Sequence, residues 1–233
     1  MHINRKNNRW IICDPALKDE VEDQWFTQKY WMNQGRLLGA SSGRGAAWII
    51  KSEWGKWILR HYFRGGLYAK LNQDQYLWTG IKHTRAYREF QLLAEIQALG
   101  LPSPQPMAAR VVKKGLFYRN DLIMSYIPHK HTLAQILADD DLPLDQWQHI
   151  GQLIAQYHQQ GIYHSDLNAH NILMDGEKIH LIDFDKGMQK SPHSSWQQSN
   201  LQRLQRSIEK VSGQSSEKAL SAAWQALLKG YQT

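Results

Sequence analysis

The feature that most limits the folds open to this chain is a polar loop set between a long amphipathic pattern and a short hairpin signal. Residues Pro143 to Gln160 carry Trp147, Ile150, Ile154 and Tyr157 at three-and-four spacing. With Pro143 near its start and Gly161 as its stop, this run predicts a helix. Gly161-Ile-Tyr-His-Ser-Asp-Leu-Asn-Ala-His-Asn171 follows directly. Two apolar runs come next, Ile172 to Met174 and Ile179 to Ile182, around the turn signal Asp175-Gly176. A hairpin brings its outer ends together. Asn171 enters the first strand and Asp183 leaves the second, so an amide and a carboxylate are expected at one end, with Asp166 just upstream in the loop.

Those residue types point to phosphoryl transfer. Asp183 is a hard anionic oxygen ligand and Asn171 a neutral one, a pair suited to metal ions beside phosphates. Asp166 can take the proton of an acceptor hydroxyl and orient its oxygen. His164, Asp166, Leu167 and Asn171 match every fixed position of the kinase catalytic-loop pattern H-x-D-L-x-x-x-N. His164 reads as an anchor for the loop rather than a base. A lone His-x-Asp would say little; the full loop between a capped helix and a hairpin is far more specific than polar residues satisfying a turn.

Upstream, Asp14-Pro15 reads as a helix start leading into Leu17 to Lys29. Gly39 to Gly45 is a small-residue loop, followed by strand-like runs Ala46 to Lys51 and Lys56 to Tyr62 with a turn at Glu53 to Gly55. His83 to Leu99 reads as a helix with the stripe Leu92, Leu93, Ile96 and Leu99. Glu89 falls on the same side, and a buried carboxylate needs a cation. Arg60 is paired with it here, with Lys51 and Lys56 as competitors. Strands are expected over Ala109 to Lys113 and Leu122 to Ile127. A strand-rich first half, 1–125, and a helix-rich second half, 126–233, imply two lobes. In that setting Gly43, Arg44 and Gly45 can lie over ATP phosphates through main-chain N–H groups. The main chain near Ser125 and Tyr126 becomes the inter-lobe hinge that binds adenine.

Charge adds a partner class. With 28 Lys and Arg against 21 Asp and Glu, the net charge of +7 suits an anionic partner, whether nucleotide, nucleic acid or acidic membrane, although it also serves solubility. Cys13 is the single cysteine, so no intrachain disulfide forms. Met1 to Trp10 lack the apolar core of a signal peptide, and no run approaches the ~20 apolar residues of a membrane span. Membrane contact is therefore expected from the side only.

The chain resembles the protein-kinase-like superfamily and, more narrowly, the 3-deoxy-D-manno-octulosonic acid (Kdo) kinases of lipopolysaccharide synthesis. The resemblance rests on Gly43 to Gly45, Leu59-Arg-His-Tyr-Phe-Arg-Gly-Gly-Leu67, Arg88-Glu-Phe-Gln-Leu-Leu93, Asp166-Leu-Asn-Ala-His-Asn-Ile-Leu173 and Ile182-Asp-Phe-Asp-Lys-Gly187. It implies an α+β, protein-kinase-like two-lobed fold, with an N-terminal antiparallel sheet and a compact, mostly helical C-terminal lobe. It implies ATP and Mg²⁺, with Asp166 as the active-site residue and Asn171 and Asp183 as metal ligands. The implied acceptor is the 4-hydroxyl of a Kdo residue on a lipid A precursor, an anionic glycolipid. The implied location is peripheral, at the cytoplasmic face of the bacterial inner membrane, with no nucleic-acid partner.

Departures from ordinary protein kinases shape the alternatives. Arg60 stands where they carry Lys, and Asp185 replaces the Gly of Asp-Phe-Gly. No Ala-Pro-Glu follows, and 48 residues after Asp185 do not accommodate a peptide-docking region. Arg60 to Lys70 interleaves Arg60, Arg64 and Lys70 with Tyr62, Phe63 and Tyr68, which suits an anionic glycolipid surface. Trp196, Asn200, Leu201, Leu204 and Ile208 follow helical spacing and read as packing, with Arg203 and Arg206 read as surface solvation in preference to substrate contacts. Beside the Kdo reading stand a lipopolysaccharide heptose kinase, a small atypical Ser/Thr kinase and a non-catalytic nucleotide- or lipid-binding scaffold.

Overall fold

Two strands form where the sequence signals only a polar N-terminus. In the computed structural model, which describes residues 1–40, 47–64, 74–139, 142–213 and 216–233, His2–Lys6 (β1) pairs antiparallel with Arg9–Cys13 (β2). All five residues of β1 are exposed, so no apolar alternation marks it. Its Arg5 and Lys6 suit an edge strand, where charge discourages pairing with other chains.

The helix expected from Leu17 to Lys29 is replaced by three short pieces. Asp14 Oδ1 accepts from Ala16 N–H at 2.9 Å and opens a 3₁₀ turn, Pro15–Leu17. A second turn spans Asp23–Phe26, and an α-helix, α1, spans only Gln28–Asn33. Burial explains the breaks. Trp25, Phe26 and Trp31 enter one core with Cys13, Leu17, Trp57 and Leu59, and a single straight helix would point those three rings to different sides.

The chain folds into two compact units, Met1–Glu95 with Pro104–Ile127, and Ile96–Ser103 with Pro128–Thr233. The first is built on an antiparallel sheet. Its further strands are Leu37–Ala40 (β3), Ala47–Ser52 (β4), Gly55–His61 (β5), Tyr76–Leu77 (β6), Pro106–Lys114 (β7) and Phe117–Ser125 (β8). The order is β1-β2-β7-β8-β5-β4-β3, with β6 also on β8. Arg60 on β5 stands opposite Ala47 on one neighbour and Leu122 on the other.

The helix Arg85–Ala98 (α2) starts under control of β8. Asn120 Oδ1 accepts from Ala86 N–H at 2.8 Å and Tyr118 Oη from Arg85 N–H at 3.2 Å. These bonds satisfy donors that a helix start otherwise leaves open. Phe90, Leu92, Leu93 and Ile96 are buried as the stripe predicts. Leu99 lies past the helix end and is 42% exposed, so it leaves the expected stripe.

The second unit holds His131–Thr132 (β9), the helices Leu133–Asp139 (α3) and Leu144–Gln159 (α4), then Ile162–Tyr163 (β10). Ile172–Asp175 (β11) and Lys178–Leu181 (β12) follow, then Met188–Gln189 (β13) and the helices Ser194–Val211 (α5) and Glu217–Tyr231 (α6). Trp147, Ile150, Ile154 and Tyr157 of α4 are all buried. Helices α4 and α6 meet backbone to backbone. A Cβ at Gly151 would lie 2.0 Å from the Leu227 carbonyl oxygen, and one at Gly230 would lie 2.0 Å from that of Gln148. Gly161 ends α4 at φ +73°, with the Lys190 carbonyl oxygen 2.1 Å from where a Cβ would stand. Only glycine fits there. Asp175 pairs with Lys178, so the hairpin turn is Gly176-Glu177, one residue later than the Asp175-Gly176 signal.

Candidate active site

The loop after α4 is held by its own histidine. His164 is buried; its Nε2–H donates to the Ile182 carbonyl at 2.9 Å, and Asp166 N–H donates to its Nδ1 at 3.1 Å. Those partners assign the tautomer. Burial lowers the imidazole pKa, only partly offset by the Ile182 bond, so the ring is neutral. It packs on Phe184 at 4.8 Å between ring centres. His164 thus ties the loop to the end of β12 and, as a neutral buried anchor, is no base.

Two amides then fix the main chain of Asp166. Asn168 and Asn171 both donate through Nδ2 to its carbonyl oxygen, at 2.9 and 3.0 Å. Ile182 N–H donates to the Asn171 carbonyl at 3.1 Å and extends the β11–β12 ladder by one rung. Asn171 and the residue preceding Asp183 are therefore directly opposed at one end of the hairpin.

The carboxylate of Asp166 has a partner that helical spacing alone did not assign. Arg203 on α5 donates to Oδ1 through Nε at 2.9 Å and through Nη2 at 2.6 Å. Partial burial pushes the Asp166 carboxyl up, but the hydrogen bonds and charge of Arg203 outweigh it, with smaller help from Asn168 and His164, and hold it below the usual carboxylate range. It is ionised at neutral pH. Asn200, one turn earlier, accepts from His164 N–H at 3.3 Å and donates to the His164 carbonyl at 2.9 Å. Ser207, one turn later, accepts from Ala169 N–H at 3.1 Å. Asn200, Arg203 and Ser207 form one face of α5 that grips the loop, against the expectation that Arg203 is merely solvated. The signal was available as three polar residues at three-and-four spacing.

The donor set fits Mg²⁺. The Asn171 amide nitrogen is engaged by Asp166, and among the described residues no hydrogen bond reaches its Oδ1, the atom that would face a metal ion. Asp183 sits at φ +64°, a region non-glycine residues seldom occupy and one associated with functional sites. Both donors are oxygens. Mg²⁺ characteristically takes one or two protein oxygens and completes its shell with phosphate oxygens and water. No group of three or more His, Cys, Asp or Glu side chains among the described residues forms a metal cluster.

In the first unit Arg60 Nη1 donates to Glu89 Oε1 at 3.2 Å, with side-chain exposures of 21% and 1%. Tyr62 Oη donates to Glu89 Oε2 at 2.6 Å. Tyr62 is buried, and burial followed by the Glu89 charge raises its pKa well above the usual phenol value. The arginine of the pair also lies over the Tyr62 ring, at 4.9 Å. Tyr62 is therefore a partner of the buried carboxylate rather than a surface aromatic of a lipid-facing segment. Tyr68 and Lys70 of that segment, like Gly43, Arg44 and Gly45, lie outside the described residues. At the expected hinge, Ser125 N–H donates to the Gln105 carbonyl and Tyr126 N–H to the Lys56 carbonyl, at 2.8 and 2.9 Å. Both donors are engaged, so adenine contacts through these N–H groups are not open.

The model of the lipopolysaccharide kinase (Kdo/WaaP) family matches residues 28–231. The chain belongs to that family. A 3-deoxy-D-manno-octulosonic acid kinase of Vibrio parahaemolyticus is 42% identical, with 88% of this chain and 87% of the relative covered. Its counterpart in Haemophilus influenzae is 37% identical over 99% of both chains. Among solved structures, a WaaP in complex with acyl carrier protein superposes with a TM-score of 0.58 at 12% identity, covering 95% of this chain and 88% of that one. The fold is the α+β, kinase-like one that the sequence implied, and this Kdo/WaaP-family member is a phosphotransferase acting on a hydroxyl. Among its described residues no helix is long and apolar enough to cross a membrane.

Proposed function

We propose that the chain transfers the γ-phosphoryl group of ATP to the 4-hydroxyl of a Kdo residue on a lipid A precursor, as a peripheral protein at the cytoplasmic face of the bacterial inner membrane. The observation that carries the chemistry is Asp166: ionised, fixed through its main chain, with both arginine contacts on Oδ1, so that Oδ2 is the oxygen available to an acceptor. The acceptor itself is argued from the relatives, whose names specify this sugar acid along nearly their whole length.

In this reading the acceptor hydroxyl donates to Asp166 Oδ2, and its oxygen attacks the γ-phosphorus. The bond from that phosphorus to the β-bridging oxygen breaks, ADP leaves with the electron pair, and the hydroxyl proton passes to Asp166 and then to water. Asn171 and Asp183 would hold Mg²⁺, which when bound would neutralise charge on the phosphate oxygens. Arg60, kept in place by Glu89, contacts the phosphates; Gly43, Arg44 and Gly45, outside the described residues, are assigned to the phosphates from the sequence alone. Adenine recognition falls to the chain at Ser125 and Tyr126 through carbonyl oxygens, which can accept a second bond. Lys and Arg excess supports an anionic glycolipid surface.

Incubation with labelled ATP and three acceptors tests the proposal: the Kdo-bearing lipid A precursor, heptosylated core and a generic protein. Label on the Kdo precursor, located at the 4-hydroxyl by NMR, is expected. Transfer to heptosylated core alone would give the acceptor to heptose, and transfer to protein alone would remove the sugar reading.

A further inference from the structure

Arg203 uses only one edge of its guanidinium. Nε and Nη2 form the side fork, and both donate to the same oxygen, Asp166 Oδ1. The end-on fork of Nη1 and Nη2 remains, and among the described residues nothing else bonds to this side chain. A guanidinium carries five donors in a fixed plane, and each fork matches a carboxylate in two-point fashion. Both members of the pair are 49% exposed along their side chains, so the open fork is reachable. Ser207 and Asn200, a turn away on either side, hold α5 against the loop. The guanidinium therefore has a fixed location next to the reacting carboxylate.

We infer that Arg203 is a specificity residue that receives the carboxylate of an acidic sugar acceptor on its open fork while Asp166 Oδ2 receives the hydroxyl. This rests on the acceptor reading above. An ulosonic acid carries its carboxylate on the anomeric carbon, a few bonds from the ring hydroxyls, so one guanidinium bridging two carboxylates places that hydroxyl at Asp166. A neutral sugar lacks the second contact. Arg203 would then do two jobs with two edges. The side fork keeps Asp166 ionised and aimed, and the end fork selects an acceptor that is itself an acid.

The test separates these jobs. Wild type, Arg203→Gln and Arg203→Lys are assayed on the Kdo-bearing lipid A precursor and on the same precursor with its Kdo carboxyl groups methyl-esterified. For wild type, kcat/KM on the acid should exceed that on the ester by about 10- to 100-fold, the range of hydrogen bonds to charged groups. In Arg203→Gln, KM for the acid should rise by a similar factor and the acid-to-ester ratio should collapse toward one. Arg203→Lys, with charge but no fork, should retain part of the preference. A role limited to supporting Asp166 would lower kcat on both acceptors and leave the ratio unchanged. An unchanged ratio in Arg203→Gln, or no acid preference in wild type, overturns the inference while the Kdo acceptor stands. If wild type phosphorylates neither precursor, the acceptor reading fails and takes this inference with it.

Discussion

Arg60–Glu89 in the first unit and Arg203–Asp166 in the second are both arginine–carboxylate pairs, and the two differ in one physical respect. Glu89 is almost wholly buried and takes Arg60 and a buried tyrosine hydroxyl, whereas Asp166 and Arg203 are both about half exposed. A carboxylate in a low-dielectric interior must be fully matched or it is costly, so Glu89 is built as scaffold and positions Arg60. A half-exposed carboxylate with one oxygen matched keeps the other for a reactant. Burial, more than residue type or partner, separates the structural acid from the one proposed to react.

Substitutions can break that contrast. Asp166→Asn keeps the shape but cannot accept a proton, and phosphotransfer should fall by roughly 10²–10⁴-fold, while ATP titration gives near wild-type binding. Its unfolding free energy should move by no more than about 1 kcal/mol, since the pair is exposed. Glu89→Ala should do the reverse. It strands the Tyr62 hydroxyl and removes the carboxylate partner of Arg60, and should cost roughly 2–3 kcal/mol in denaturant unfolding, below the usual buried-pair figure because Arg60 keeps some water. If Asp166→Asn destabilised more than Glu89→Ala, the division into reagent and scaffold would be wrong.

Acid sharpens the comparison through histidines. In the second unit, burial lowers the His158 pKa to about 4, with a small opposing hydrogen bond from Asn200, and lowers that of His164. Both are neutral when folded and gain protons on unfolding as pH falls below the ordinary value. Their contribution is complete above that value and is lost as pH falls through it toward the folded pKa. For His158 this is about 2 kcal/mol between pH 7 and pH 5. His61 in the first unit runs the other way. Burial lowers its pKa, but hydrogen bonds and charges of Asp121 and Asp74 prevail and raise it. Its contribution is complete below the ordinary value and is lost as pH rises through the folded pKa. Hydrogen exchange at pH 5 should show protection falling in α4 and α5 more than in β5 and β8. The smallest effect belongs to Lys130 and Asp175, 3.7 Å apart and exposed: Lys130→Ala should change stability by about 0–1 kcal/mol.

Much of the second unit could be read from its residues. The α4 stripe, its Gly161 stop, the loop and the hairpin are local signals, each set by neighbours within a few positions. In the first unit the strands around Ile50, Leu59 and Leu122 were equally legible, whereas the exposed β1 and the broken turns before α1 were not. Periodicity records burial: β1 buries nothing, and the Trp25, Phe26 and Trp31 core overrides any single period.

What the residues determined unaided was chemistry at short range: which loop carries Asp166 and Asn171, which hairpin leads out to Asp183, and which helix carries Glu89. Tertiary structure decided the partners. Tyr62 reaches Glu89 across 27 residues, Asn120 caps α2 across 34, and Arg203 meets Asp166 across 37. Such contacts leave no periodic trace, because side chains meet across elements only once packing has fixed the distance and orientation between them.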